Sequence, residues 1–205
     1  MNVLAIDTSV GVSVAVLRSN GELTQSQIVD HGLQGELTAD LISQVVTESG
    51  LEISEITDVV IGVGPGPFTG LRVGLVTAAV FAHAREIPIH GICSLDAIAF
   101  DYAKPCVVVT DARRKELYWA RYEGNRISEP QVSKPEDLLA QFSNTEFVGP
   151  GAQLYPDSIS GRVLELKAGS LAKLFASGSA QLVDVSPMYL RKPDAVEPTT
   201  RKSVL

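Results

Sequence analysis

Short apolar runs bounded by turn residues alternate with two longer periodic stretches in the first half of the chain. This pattern predicts strands over 3–6, 12–17 and 22–29, a helix over 33–49, a strand over 56–63, a helix over 68–85 and a strand over 88–92. Along the first helix, apolar residues recur every four positions at Leu33, Leu37, Leu41 and Val45, with Ile42 and Val46 beside them. This spacing gives one wide apolar face, which is typical of an amphipathic helix.

The same order of elements begins again after Asp101. Strands are predicted over 106–110, 116–122, 126–132 and 146–148, with helices over 135–142 and 171–176. Each half then has the order βββαβα and opens with a strand that ends in an aspartate, Asp7 or Asp111. We therefore predict an α/β fold of two actin-like (ASKHA, RNase H-like) units, the second reduced, over 1–103 and 104–205. The tail after Pro193 lacks apolar periodicity and is predicted to be loosely ordered.

Composition and charge narrow the class of protein. The chain carries 17 Lys and Arg against 24 Asp and Glu, a formal net charge of -7, which argues against a general nucleic-acid binder. Cys93 and Cys106 make neither a disulfide framework nor a four-ligand zinc site, so a reducing compartment is expected. The sequence opens without a basic leader and has no apolar run of about 18 residues. A cytoplasmic protein without membrane contact is predicted.

Asp7-Thr8-Ser9, at the end of the first predicted strand, is a candidate phosphate loop. In actin-like proteins this loop meets a nucleotide phosphate or its metal ion. A carboxylate can hold Mg²⁺, and hydroxyls and backbone amides can bond phosphate oxygens. A strand followed by Asp-Thr-Ser is also a common turn and capping sequence. Both interpretations remain open on the residues alone.

The segment 62–74, GVGPGPFTGLRVG, joins the predicted fourth strand to the second helix. It matches neither the P-loop pattern nor a dinucleotide-binding fingerprint. Two rows follow in the helix: small residues at Gly70, Gly74, Ala78 and Ala82, and apolar residues at Leu71, Leu75 and Ala79. The small row permits close approach of another helix, either the 33–49 helix of the same unit or a helix of another subunit.

Five stretches together resemble the TsaB (YeaZ) family: VLAIDTS, HGLQGELTADLI, GVGPGPFTGLRVGL, VVVTDARRKELYWARY and PMYLRKPDA. The resemblance implies a non-catalytic scaffold or activating subunit that dimerises with a TsaD-like catalytic subunit in threonylcarbamoyladenosine modification of ANN-decoding tRNAs. It further implies a TsaE-like ATPase in the same complex and indirect contact with tRNA. ATP and metal are expected on the partner, with no cofactor of this chain's own.

The resemblance also implies where the partner binds. In that family, the helices that correspond to 33–49 and 68–85 form the shared interface. The expected interface residues are Leu33, Leu37, Leu41, Val45, Gly70, Leu71, Gly74, Leu75, Ala78 and Ala82. An unpaired apolar face of this size would also drive homodimerisation of the isolated chain. Asp7, Thr8 and Ser9 are then expected to be a vestigial phosphate loop.

Two enzyme classes are the alternatives. A glycoprotease, the older label of the superfamily, would need metal-binding histidines, but the three histidines of this chain include no pair at i, i+4. An ATP-dependent phosphotransferase would use Asp7 as a Mg²⁺ ligand. Its second loop would need small residues beside the phosphates, whereas this chain has Ala112-Arg113 there. We therefore predict no catalytic residue and no metal site.

Basic residues cluster at Arg113-Arg114-Lys115 and again at Arg191-Lys192. A short cluster at a hairpin turn is typical of a solvated loop. The alternative is contact with tRNA phosphates or with an acidic partner surface.

Overall fold

The structure is a computed structural model that describes residues 1–28 and 34–191. Its strands are β1 (Val3–Asp7), β2 (Val12–Leu17), β3 (Leu23–Ile28), β4 (Asp58–Gly62), β5 (Ile89–Ile92), β6 (Cys106–Asp111), β7 (Leu117–Glu123), β8 (Asn125–Arg126), β9 (Gln131–Ser133), β10 (Glu146–Val148) and β11 (Leu182–Val183). Its helices are α1 (Gln34–Glu48), α2 (Phe68–Arg85), α3 (Ser94–Phe100), α4 (Pro135–Gln141) and α5 (Ala168–Ala176).

The first sheet has the strand order β11-β5-β4-β1-β2-β3. β1 pairs in parallel with β4, and β4 with β5, whereas β2 and β3 follow β1 as antiparallel neighbours. Parallel neighbours need a crossover connection, and α2 supplies it between β4 and β5. Three antiparallel strands followed by parallel ones form the predicted actin-like arrangement, so the predicted fold class is confirmed.

Helices cover both faces of this sheet, and alternate residues of β1 point to opposite sides. Leu4 and Ile6 pack in one core cluster with residues of α1 and α2. Val3 and Ala5 pack in a second cluster with residues of α5. A strand buried on both faces is apolar throughout. This explains why β1 shows no alternation of polar and apolar residues in the sequence.

The second sheet has the order β10-β6-β7-β8, and β9 also pairs with β7. β6 and β7 are antiparallel, and β10 is parallel to β6 after the crossover through α4. This is the order of the first sheet in shortened form. The predicted repeat, with a reduced second unit, is therefore present in the structure.

Three features differ from the predicted elements. The strand predicted over 126–132 is two short strands, β8 and β9, separated by a segment that contains Pro130, which has no N–H to donate to a ladder. α3 and β11 were not predicted. α5 packs on the first sheet and β11 pairs with β5 at its edge. The predicted assignment of all of 104–205 to the second unit is therefore wrong for 168–183, because α5 covers a face of the first sheet.

Some predictions fall on residues that the structure does not describe. Leu33, Lys192 and the tail after Pro193 lie outside the described residues. Among the described helices, none is long and apolar enough to cross a membrane.

Candidate functional site

Asp7 lies at the end of β1, where neighbouring elements enclose its carboxylate, and the residue is 1% exposed. Oδ1 accepts hydrogen bonds from the Ser9 N–H at 2.7 Å and from the Ser9 hydroxyl at 2.6 Å. Oδ2 accepts from the Ser94 hydroxyl at 2.5 Å, and the Ser94 oxygen accepts from the Gly64 N–H at 3.0 Å. The carboxylate therefore joins β1, the loop after β4 and the start of α3.

Thr8 is turned inward in the same way. Its hydroxyl donates to the Gly70 carbonyl at 2.8 Å. A Cβ at Gly74 would lie 2.2 Å from Thr8 Oγ1, so this position of α2 requires glycine. The structure brings Asp7, Thr8 and Ser9 together as one loop, but their side chains bond the chain itself. This arrangement is that of a structural turn.

Burial raises the pKa of the Asp7 carboxyl, and the hydrogen bonds from Ser9 and Ser94 oppose that rise. An unfolded Asp has a pKa of about 3.9. With a folded-state pKa above that value, Asp7 stabilises the fold at lower pH and loses this contribution as the pH rises through the folded-state pKa. We expect Asp7→Asn to remove this dependence. The free energy of unfolding of the wild type minus that of the variant should then fall as the pH rises above about 4.

Urea titrations at several pH values measure this difference. Asp40→Asn is the matched control, because Asp40 is exposed on α1 and its replacement should leave the pH dependence close to that of the wild type. A wild-type advantage that grows as the pH rises would contradict the prediction, because it would mean that the hydrogen bonds to the carboxylate outweigh its burial.

A cleft lies beside the Asp7 loop, between the two units. Its cavity of about 110 Å³ is lined by Asp7, Val10, Gly11, Val12, Ser13, Gln27, Ile28, Pro150, Glu165 and Leu166. The Gln27 amide donates to Glu165 at 3.0 Å across this region. Pockets for small organic ligands are commonly about 300–1,000 Å³. The cleft is therefore small for a nucleotide.

The second loop, in the β6–β7 hairpin, is backbone-strained. Arg113, Arg114 and Lys115 have left-handed φ angles of 60°, 54° and 59°. Such residues cost about 1–3 kcal/mol each. Asp111 Oδ1 accepts from the Arg113 N–H at 2.7 Å, which helps to hold the turn. The hairpin therefore displays three exposed basic side chains on a fixed backbone.

The predicted interface rows lie largely in the core. Eight of the ten predicted residues are buried: Leu41, Val45, Gly70, Leu71, Gly74, Leu75, Ala78 and Ala82. Leu37 is half-buried, and Leu33 is outside the described residues. The prediction that these rows themselves form a partner surface is wrong for the eight buried residues. The larger apolar side chains fill the space between the helices and the first sheet. The small residues allow close approach, as Gly74 does for Thr8.

The exposed side of α1 and α2 carries a different apolar set. Val76 and Val80 of α2 are 61% and 63% exposed, and Ile53, after α1, is 47% exposed. With Ala39 of α1 and Phe81 of α2, they line a groove of about 410 Å³ between the helices. We call these five residues the outer face. A contiguous exposed apolar patch is typical of an interaction site.

Two parts of this site were missed in the sequence. Ser94 is separated from its partner Asp7 by 87 positions, and nothing in the local pattern links them. Val76 and Val80 do carry a signal, because they add apolar residues to a side of α2 that the core rows leave to solvent. A helix that is apolar all round has more apolar surface than one core contact needs.

A buried ion pair lies between α3 and β8. Arg126 Nε is 3.0 Å from Asp96 Oδ1, and both side chains are 7% exposed. The Tyr122 hydroxyl donates to the same oxygen at 2.6 Å. Arg126 Nε has no hydrogen-bond partner despite this short contact, so charge rather than a directed hydrogen bond holds the pair. Burial raises the pKa of Asp96, and Tyr122 and Arg126 oppose the rise. The cluster stabilises the packing of α3 on the second sheet.

The cysteines and one described histidine have structural surroundings. Burial raises the pKa of the Cys106 thiol to about 11, and that of Cys93 higher still, which disfavours the reactive thiolate. His90 contacts Asp58 at 3.2 Å and packs on the Phe175 ring. Within 1–28 and 34–191, no three His, Cys, Asp or Glu side chains are grouped as metal ligands. The expected absence of metal and catalytic residues stays a prediction.

Fold and site together define a protein of actin-like fold in which the side chains of the Asp7-Thr8-Ser9 loop make hydrogen bonds within the chain itself. A family model described as "TsaD: tRNA N6-adenosine threonylcarbamoyltransferase" matches residues 35–198. An uncharacterised protein of Mycobacterium leprae is 38% identical over 200 residues, which cover 94% of this chain and 55% of that relative. This chain thus spans about half the length of the M. leprae relative.

Two further comparisons are with proteins whose descriptions name TsaB or YeaZ. The tRNA threonylcarbamoyladenosine biosynthesis protein TsaB of Escherichia coli is 27% identical, over 93% of this chain and 95% of that protein. A crystal structure from Pseudomonas aeruginosa, of a protein described as similar to peptidase YeaZ, gives a TM-score of 0.77 at 25% identity and covers 93% of this chain and 99% of that one. The chain belongs to the TsaB/YeaZ family, which confirms the resemblance found in the sequence.

Proposed function

We propose that this chain takes part in forming threonylcarbamoyladenosine in tRNA, as a non-catalytic subunit that docks on a TsaD-like catalytic subunit. Relatives named TsaB in E. coli and Haemophilus influenzae, matched over 93% of this chain, support a role in that biosynthesis. A TsaE-like ATPase in the same complex, ANN-decoding tRNAs as the substrates and a cytoplasmic location belong to the same proposal.

The observation that carries the docking proposal is the outer face. Val76 and Val80 stand exposed on a helix whose opposite side is fully occupied by the core. The groove beside them is lined mainly by apolar side chains from both helices. A helix pair from another subunit could fill this groove and bury about 1,200–2,000 Å² in a contact of standard size. In the isolated chain, the same face would support a homodimer.

The closed Asp7 loop supports a non-catalytic role. A phosphotransferase of this fold would need the Asp7 carboxylate to face a Mg²⁺ ion, but here it accepts three hydrogen bonds within the chain and is buried. ATP and metal would then be held by the partner subunit. The small cleft beside the loop agrees with this division of roles.

The test is the Val76→Asp/Val80→Asp double variant. Two carboxylates without counter-charges in a buried apolar contact should weaken binding to the TsaD-like subunit of the same cell by at least about a hundredfold. Calorimetric titration of the two purified proteins measures the affinity. In cells whose only copy is the variant, the threonylcarbamoyladenosine content of digested tRNA, measured by mass spectrometry, should fall.

Val163→Asp is the matched control, because Val163 is 48% exposed and follows Arg162, which bridges to β10 of the second sheet. It should bind the catalytic subunit as the wild type does. Positions such as Gly74 and Ala78 are unsuitable for this test, because a large side chain there would disrupt the core. If the double variant unfolds like the wild type yet keeps its affinity, the docking surface lies elsewhere and the assignment is wrong.

A further inference from the structure

Two exposed aromatic rings and a guanidinium group form a platform at the start of α2. The Phe68 and Tyr189 rings are stacked, with centroids 4.7 Å apart and planes at 26°. The Arg72 guanidinium carbon lies 3.7 Å from the Phe68 centroid, and Arg72 Nε donates to the Tyr189 hydroxyl at 2.9 Å. Phe68 is 38% exposed and Tyr189 36%. Residues more than a hundred positions apart are thus held in one fixed, partly solvent-facing stack.

The segment that contains Tyr189 also contacts the basic hairpin, through Arg191. Arg191 contacts the Glu116 carboxylate, and its guanidinium donates to the Arg113 carbonyl at 3.5 Å. Arg191 thus ties the hairpin, which carries the exposed side chains of Arg113, Arg114 and Lys115, to the segment that contains Tyr189. We call the set Phe68, Arg72, Arg113, Arg114, Lys115, Tyr189 and Arg191 the Tyr189 surface.

The backbone conformation of the hairpin makes the presence of three basic residues there unusual. Three successive residues adopt left-handed φ angles that glycine or asparagine adopts at lower cost. The turn is closed by the Ala112 N–H, which donates to the Glu116 carbonyl at 3.0 Å, and by the Asp111 side chain. These backbone hydrogen bonds do not depend on basic side chains, although the Arg113 guanidinium also pairs with Asp111 at 3.2 Å. Three consecutive basic residues at such strained positions point to a contact outside the chain as well.

The local charge is opposite to that of the whole protein. The Tyr189 surface carries five cations; Asp111 contacts Arg113, and Glu116 contacts Arg191. The chain as a whole has a net charge of -7. An acidic ligand would thus be drawn to this surface and repelled elsewhere. RNA suits both the aromatic platform and the cations of this surface. Unpaired bases stack on aromatic rings and guanidinium planes, and phosphates pair with lysine and arginine.

We propose that the Tyr189 surface binds an unpaired segment of RNA, with a base stacked on the Phe68–Arg72–Tyr189 platform and phosphates against the hairpin cations. An acidic protein would satisfy the cations but would leave the stacked platform unused. The identity of this RNA as the tRNA substrate rests on the proposed function. The inference adds a direct RNA contact, with a base-stacking platform, to a subunit for which the family resemblance implies only indirect contact with tRNA.

Fluorescence anisotropy with the full chain tests this inference. The probes are a labelled anticodon stem–loop RNA and a blunt RNA duplex of equal length, at salt concentrations from about 50 to 200 mM. The stem–loop should bind more tightly than the duplex. Tyr189→Ala should weaken stem–loop binding at least about fivefold, since stacking on one ring contributes at that scale. Tyr189→Phe keeps the ring and should stay within about twofold of the wild type.

The electrostatic part is tested by Arg113→Gln/Lys115→Gln. This variant should bind about tenfold more weakly at low salt, and the slope of log affinity against log salt should decrease by between one and two. Lys104→Gln/Lys173→Gln is the control, because it removes two exposed charges outside the Tyr189 surface. Its affinity should match that of the wild type. Thermal unfolding shows whether each variant is folded.

Three results would overturn the inference: no binding of the stem–loop by the full chain at low salt, equal losses in the control variant, or unchanged RNA binding in folded variants of the Tyr189 surface. If those variants lose binding to the catalytic subunit instead, the surface serves an acidic protein. The Val76→Asp/Val80→Asp variant separates the two proposals, since it should lose the subunit and keep the RNA.

Discussion

Gly62→Ala should lower the free energy of unfolding by at least about 3 kcal/mol. A Cβ at this position would lie 1.7 Å from Asp7 Oδ2 and 2.8 Å from the Ser94 hydroxyl oxygen. The methyl group fits only if the carboxylate moves, and that movement breaks the hydrogen bonds that Ser9 and Ser94 donate inside the core. Denaturant titration followed by circular dichroism measures the loss.

The size of this effect should depend on Asp7. In an Asp7→Ala background the two closest atoms are absent, so adding Gly62→Ala should cost less than half of what it costs in the wild type. Gly50→Ala is the control: nothing lies within 4 Å of its added Cβ and its φ is +71°, so it should cost only about 1 kcal/mol of backbone strain. Equal costs of Gly62→Ala in both backgrounds would show that the carboxylate does not impose the glycine.

Elements with a strong local pattern could be predicted from the sequence. The helix α2 and the strand β2 lie over the predicted residues, β1 is one residue longer than predicted, and α1 ends one residue before its predicted end. Their apolar runs or four-residue spacings are dictated by burial against one sheet, which leaves a direct trace in the sequence. The repeat of unit order was visible for the same reason.

Elements whose existence depends on distant partners could not be predicted. β11 has only two residues and forms because the chain returns to the free edge of β5. α3 has seven residues, six of them buried, so it shows no polar face and no period. The assignment of α5 to the first sheet also depends on the tertiary fold, because its apolar residues would suit either sheet.

The elements that form the candidate site could be predicted from the sequence, but the side of α2 that faces solvent could not. The Asp7 loop and the two helices were identified, yet the sequence does not tell which apolar row of α2 faces the sheet. Both sides carry apolar residues, and the buried side is fixed only by the fit of Gly74 against Thr8 and of Leu71 in the core. The exposed valines, rather than the small row, then define the surface left for a partner.

Arg126→Met should destabilise the protein by about 3–5 kcal/mol, because it leaves the Asp96 carboxylate buried without its counter-charge. Arg121→Met is the matched control on the neighbouring strand β7. Arg121 pairs with Glu123 at the surface, where its side chain is 42% exposed, so its loss should cost less than about 1 kcal/mol. Denaturant titrations of both variants at neutral pH give the comparison.

The pH dependence distinguishes loss of charge pairing from loss of packing. Burial already raises the pKa of Asp96 in the folded state, and removing Arg126 takes away a charge that opposes this rise. The folded-state pKa should therefore rise further, so the variant regains stability as the pH falls toward the unfolded-state pKa of about 3.9 and loses it as the pH rises. Adding Asp96→Asn should restore part of the loss at neutral pH, because no charge then stays unpaired in the core. A loss that is the same at all pH values and is not relieved by Asp96→Asn would mean that Arg126 acts through the packing of its side chain, and the ion pair would then contribute nothing to stability.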